Sequence, residues 1–65
     1  MSVEYIKLWK LLEKKNMKKI QLQREANISG NILARLGKNE YVSLETVEKI
    51  CRVLDCKVDN ILEFK

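Results

Sequence analysis

Proline and histidine are absent from this 65-residue chain, glycine occurs only at positions 30 and 37, and cysteine only at 51 and 56. Without histidine, and with one cysteine pair, neither a four-ligand zinc site nor a Cys-His nucleophile can be assembled. Cysteines five apart on a helix are offset rather than stacked, so both are read as reduced thiols, with Cys51 in the core. No apolar run exceeds three residues, far below the roughly 20 needed to span a bilayer. The opening MSVEYIK lacks the basic leader and long apolar stretch of a signal peptide, and the expected location is the cytoplasm. Carboxylates do pair in sequence (Glu45 with Glu48, Asp55 with Asp59), but so short a chain leaves no length for a catalytic cleft. No enzymatic activity, cofactor, metal or small-molecule ligand is expected.

What is present is a globular composition carrying an uneven charge. Apolar residues make up 46% of the chain, too many for a disordered tail, and 65 residues make one domain, 1–65, with a core that buries only about 60% of the unfolded surface. The net charge of +4 divides unequally. Residues 1–39 hold nine basic and three acidic side chains, hence +6, whereas residues 40–65 hold four basic and six acidic, hence −2. A basic surface on an acidic support fits a polyanionic partner. A solvated lysine face would give the same totals.

Periodicity predicts an all-α fold of five short helices. Tyr5, Leu8, Trp9 and Leu12 fall at i, i+3, i+4 and i+7, placing a first helix over about Val3–Lys15 with the lysines off its apolar stripe. Asn16 can adopt a left-handed conformation and end it, after which Met17 begins a second helical pattern through Ile20, Leu22 and Ala26. Asn27 is a second stop, Ile28 a buried link, and Ser29 an N-cap. A short third helix, about Gly30–Leu36, turns Ile32, Leu33 and Leu36 inward and is closed by Gly37. Ser43 caps a fourth helix with Glu45 in its first turn and a core side of Leu44, Val47, Ile50, Cys51 and Leu54. Asp55 ends that helix, Val58, Ile61 and Leu62 give a fifth, and Phe64 packs near the C-terminus. Period-two alternation shows only weakly, around Tyr41-Val42.

The stretch EANISGNILARLGK, residues 25–38, decides between functions. Two helices joined by about three residues, the second with a small and polar outer face, match the helix-turn-helix arrangement whose second helix lies in the DNA major groove. Ser29 and Gly30 would let the backbone approach base edges, Asn31 can donate to and accept from adenine, and Arg35 one turn later can reach guanine or phosphate. The amides opening the second and third helices, with Lys18 and Lys19 at the first, suit phosphate oxygens. An ordinary helical hairpin would also need a cap at Ser29 and a turn at Asn27.

The segment MKKIQLQREANISGNILARLGKNEYVSLETVEKICRVLDCKVDNILEF, residues 17–64, resembles the lambda-repressor-like, Cro-type (XRE) family of transcriptional regulators, within a small single-domain subgroup. NISGNILARLGK, VSLETVEKICRVLDC and VDNILEF, in that order, are similar to its recognition, fourth and closing helices. The resemblance implies a five-helix domain that inserts helix 3 into double-stranded DNA, usually as a repressor and a homodimer. It implies backbone or base contact by Lys19, base reading by Ser29, Gly30 and Asn31 with Arg35 a turn later, and phosphate contact by Lys38 and Asn39. Leu22, Ile28, Leu33 and Leu36 match the buried positions that set the angle between the two helices. Departures are Lys19 where many members have Gln, Gln23 where they have Ala, Asn27 where they have Gly, and a shorter loop from Gly37 to Ser43 without its usual Pro.

Two other readings use the same residues. A protein-interaction module, antitoxin-like or an anti-repressor, would keep the fold without reading DNA, consistent with the missing side chain at Gly30 and the shortened loop after the third helix. A first helix lying on an anionic membrane is opposed by Trp9 on its core stripe, and no membrane partner is expected. The homodimer contact is expected at the C-terminal Ile61, Leu62 and Phe64.

Overall fold

Asparagine and aspartate make the chain reversals that glycine makes in most helical domains. In the computed structural model, which describes residues 2–65, the helices are α1 (Ile6–Lys14), α2 (Lys19–Ala26), α3 (Gly30–Gly37) and α4 (Leu44–Leu54). Each is followed by one residue of positive φ: Asn16, Asn27, Asn39 and Asp55, at 58°, 56°, 58° and 51°. Just beyond each, an amide reaches back five residues: Met17 to Leu12, Ile28 to Gln23, Glu40 to Arg35 and Cys56 to Cys51, at 2.9–3.1 Å. This six-to-one bond is the Schellman closure, which satisfies a carbonyl left unpaired at a helix end. Asn and Asp accept the left-handed conformation more cheaply than other side-chain-bearing residues. Asn16, Asn27 and Asp55 thus end helices as expected. Gly37 does not: it lies inside α3, and the reversal falls at Asn39.

The start of the chain departs from the sequence reading. Val3–Glu4 form a short strand, β1, paired antiparallel with β2 (Glu63–Phe64), Val3 opposite Phe64 and Glu4 opposite Glu63. Ser2 and Lys65 exchange backbone bonds of 3.2 and 2.8 Å beyond it, and Lys65 Nζ stands 3.9 Å from Glu4. The two strands are too short to show alternation in the sequence. Tyr5 is therefore the N-cap residue of α1 rather than part of its first turn. The expected fifth helix is a single 3-10 turn, Val58–Asn60, closed by Lys57 N–H donating to Asn60 Oδ1 at 2.9 Å.

Val3, Tyr5, Leu8, Leu12, Leu22, Ala26, Ile28, Leu36, Val47, Ile50, Leu54 and Ile61 form one buried cluster. Trp9 and Cys51, expected inside, are half-buried at its edge. Leu44, expected on the core side of its helix, is 78% exposed, and Ile20 at 52% and Phe64 at 69% also lie outside the core. Leu44 opens α4, immediately after the Ser43 cap, where the helix has not yet reached the core. Phe64 lies opposite the buried Val3. No helix among the described residues is long and apolar enough to cross a membrane.

Candidate nucleic-acid interface

The turn between α2 and α3 is built from three adjacent residues with separate tasks. Asn27, left-handed, reverses the chain; Ile28 is buried and anchors the turn to the core. Ser29 then caps α3, its Oγ accepting the Ile32 N–H at 3.2 Å. With the cap at Ser29, the helical period turns Leu36 fully inward and Ile32 and Leu33 partly so. Gly30, Asn31, Ala34 and Arg35 are exposed and lie on the opposite side. Ser29 is also exposed, but its side chain is committed to the helix end.

Gln23 and Gly30 meet where α2 and α3 approach. Gln23 is half-buried, and a Cβ placed on Gly30 would stand 4.0 Å from its Nε2. The longer side chain at 23 is thus accommodated beside a residue with none. On the outer face of α2 the neighbouring Gln21 instead donates to Glu25 at 2.8 Å.

Lys18 and Lys19 stand at the opening of α2, Lys18 as its extended N-cap residue and Lys19 as its first helical residue. Lys19 Nζ lies 4.4 Å from the centre of the Trp9 ring. A cation over an aromatic face is attracted by the ring quadrupole, so Trp9 gives this ammonium a fixed station at the helix N-terminus. Composition and periodicity assign Trp9 to the core and miss this second task, because it depends on how α1 and α2 cross.

Lys38 and Asn39 follow α3, both exposed. Asn39 has an internal duty: its Oδ1 accepts the Tyr5 N–H at 3.2 Å. The Tyr5 hydroxyl donates to the Glu40 carbonyl at 2.7 Å. The start of α1 therefore clamps the loop after α3, leaving the Nδ2 end of Asn39 to donate outward. Burial, reinforced by Tyr41, raises the Tyr5 hydroxyl above the ordinary tyrosine range, which keeps it a donor. No local pattern announces this clamp, since its partners lie 34 and 35 residues apart.

The charge distribution follows the same division. Among the described residues the ion pairs are Arg52 with Glu48 and Lys65 with Glu4, both exposed. Lys18, Lys19, Arg35 and Lys38 belong to neither. These four cations stay outside the two ion pairs, which engage Glu48 and Glu4.

Comparison with known proteins agrees with this geometry. The structure is similar to the crystal structure of the transcriptional regulator VanUg, with a TM-score of 0.93 and 45% sequence identity, covering 95% of this chain and 83% of that one. A comparison with curated proteins found no match. Residues 7–65 match the Cro/C1-type HTH DNA-binding domain, and the chain belongs to that family of DNA-binding regulators.

Proposed function

We propose that residues 1–65 act as a sequence-specific, double-stranded DNA-binding repressor in the cytoplasm, with α3 in the major groove. The observation that carries this is the exposed side of α3, where Asn31 and Arg35 project between small residues beside lysines outside the ion pairs. Asn31 and Arg35 read bases, Ser29 and Gly30 let the helix backbone come close, and Lys18, Lys19, Lys38 and Asn39 hold phosphates. Lys19 serves position rather than sequence, because an ammonium is a point charge without a bidentate pattern. With no side chain at Gly30, specificity rests on few residues.

The domain reads a pseudo-palindrome as a homodimer, since one domain of this size offers too little contact area for high specificity. Ile61 is 1% exposed and packs in its own core, so the expected C-terminal contact moves to the apolar side chains left outside. Tyr41, Leu44, Val58 and Phe64 line one hollow and are each exposed.

The test is selection of bound duplexes from a random library, followed by titrations of the selected site at several salt concentrations. Asn31→Ala and Arg35→Ala are each expected to cost about 1–3 kcal/mol on that site and to relax preference at one position. Lys19→Ala is expected to weaken all sequences alike and to lower the salt slope by about 1. Duplex binding that is unchanged by all three variants sinks the assignment and favours a protein-interaction module with the same fold.

A further inference from the structure

On a continuous helix, residues five apart are separated by about 140° around the axis and about 7.5 Å along it, and their side chains diverge. Cys51 and Cys56 are not so placed. The chain turns back at Asp55, φ 51°, and the Cys56 amide bonds to the Cys51 carbonyl at 3.0 Å. The Schellman closure brings the side chains at these two positions into contact. In the other three closures those positions hold Leu12 with Met17, Gln23 with Ile28, and Arg35 with Glu40. After α4 alone they hold two thiols, both free and half-buried. Both line one surface hollow with Leu44, Val47, Lys57 and Val58.

We propose that Cys51 and Cys56 form a dithiol site that a small-molecule disulfide converts into an intrachain disulfide. None of the residues proposed to contact DNA takes part, although the hollow shares Leu44 and Val58 with the proposed dimer contact. Cys51 is the resolving thiol: burial first, then its neighbour Cys56 and the hydrogen bond between them, push it up to about 11. Thiolate rather than thiol attacks a disulfide, so Cys56 reacts first. Cys56 thiolate displaces one thiolate from the small disulfide and forms a mixed disulfide with the other half. Cys51 then gives up its proton, attacks the Cys56 sulfur and expels the second small thiolate. Two protein thiols are oxidised to one S–S bond, and one small disulfide is reduced to two thiols, with no other reactant.

The experiment equilibrates the full chain, under native conditions, with mixtures of glutathione and glutathione disulfide. Remaining thiols are trapped with a maleimide and the intact mass is read. Both thiols are expected to disappear together from the monomer, with a loss of about 2 Da before trapping. Cys51→Ser is expected to carry one glutathione on Cys56 and never to show that loss. The proposal is overturned if the unaltered chain accumulates independent one- and two-glutathione adducts, forms disulfide-linked dimers instead, or keeps both thiols at every mixture that oxidises it in urea.

Discussion

Asn27 and Gly37 exchange the roles that residue type alone would give them. Asn27 holds φ 56°, whereas Gly37 is helical and a Cβ on it would meet nothing within 4 Å. A helical glycine in open space is a weak point, since the unfolded chain gains entropy from it and no contact repays the loss. Gly37→Ala is expected to stabilise the domain by about 0.5–1 kcal/mol, raising the melting temperature by several degrees. Asn27→Ala is expected to cost about 1 kcal/mol through the left-handed conformation, and Asn27→Gly to avoid that cost. Thermal melts of the three variants check the assignment, and a stabilising Asn27→Ala would contradict it. The stop after α3 misleads at the level of residue type because glycine and asparagine both serve as closures, and only the register of the six-to-one bond decides which does.

Elements bounded by local chemistry are legible in the sequence. Ser29 and Ser43 each accept an amide three residues on, from Ile32 and Thr46, at 3.2 and 3.1 Å, and these caps set α3 and α4 where the pattern places them. The exposed side of α3 follows from the same register. Elements that exist only through distant partners are not legible: β1 forms because β2 returns to it, and Val3 and Tyr5, within the span that reads as helix, lie ahead of α1. The Tyr5 clamp belongs to this second kind, and its chemistry makes it testable. The hydroxyl is raised in the folded chain, so its stabilisation is fully present below the ordinary tyrosine value near 10 and is lost as pH rises through the folded value. Stability is therefore expected to fall more steeply at alkaline pH in the unaltered chain than in Tyr5→Phe. At neutral pH that variant should be weaker by about 1 kcal/mol for the lost bond to the Glu40 carbonyl. Denaturant titrations across that range check both; identical alkaline slopes would rule out Tyr5 as the group responsible.

The molecule, 29 × 23 × 17 Å, carries an apolar hollow in addition to the basic residues of the proposed DNA contact. Tyr41, Leu44 and Phe64 are 57%, 78% and 69% exposed, and Val58 shares their hollow. Large apolar side chains clustered in water mark a surface that another body covers. A second copy fits the proposed palindrome, because a two-fold contact uses the same patch on both subunits. Leu44→Glu and Phe64→Glu place carboxylates where each side chain already meets solvent, so the isolated fold should melt nearly unchanged. A buried carboxylate at the contact would be unpaired, and the dimer should dissociate. Sedimentation at micromolar concentration is expected to show a dimer for the unaltered chain and a monomer for both variants. Their affinity for a two-half-site duplex should fall by roughly tenfold or more, while affinity for a single half-site stays the same. Equal loss on one and two half-sites would place these residues in DNA contact instead, and an unaltered chain that is monomeric even on its selected duplex would remove the dimer from the mechanism.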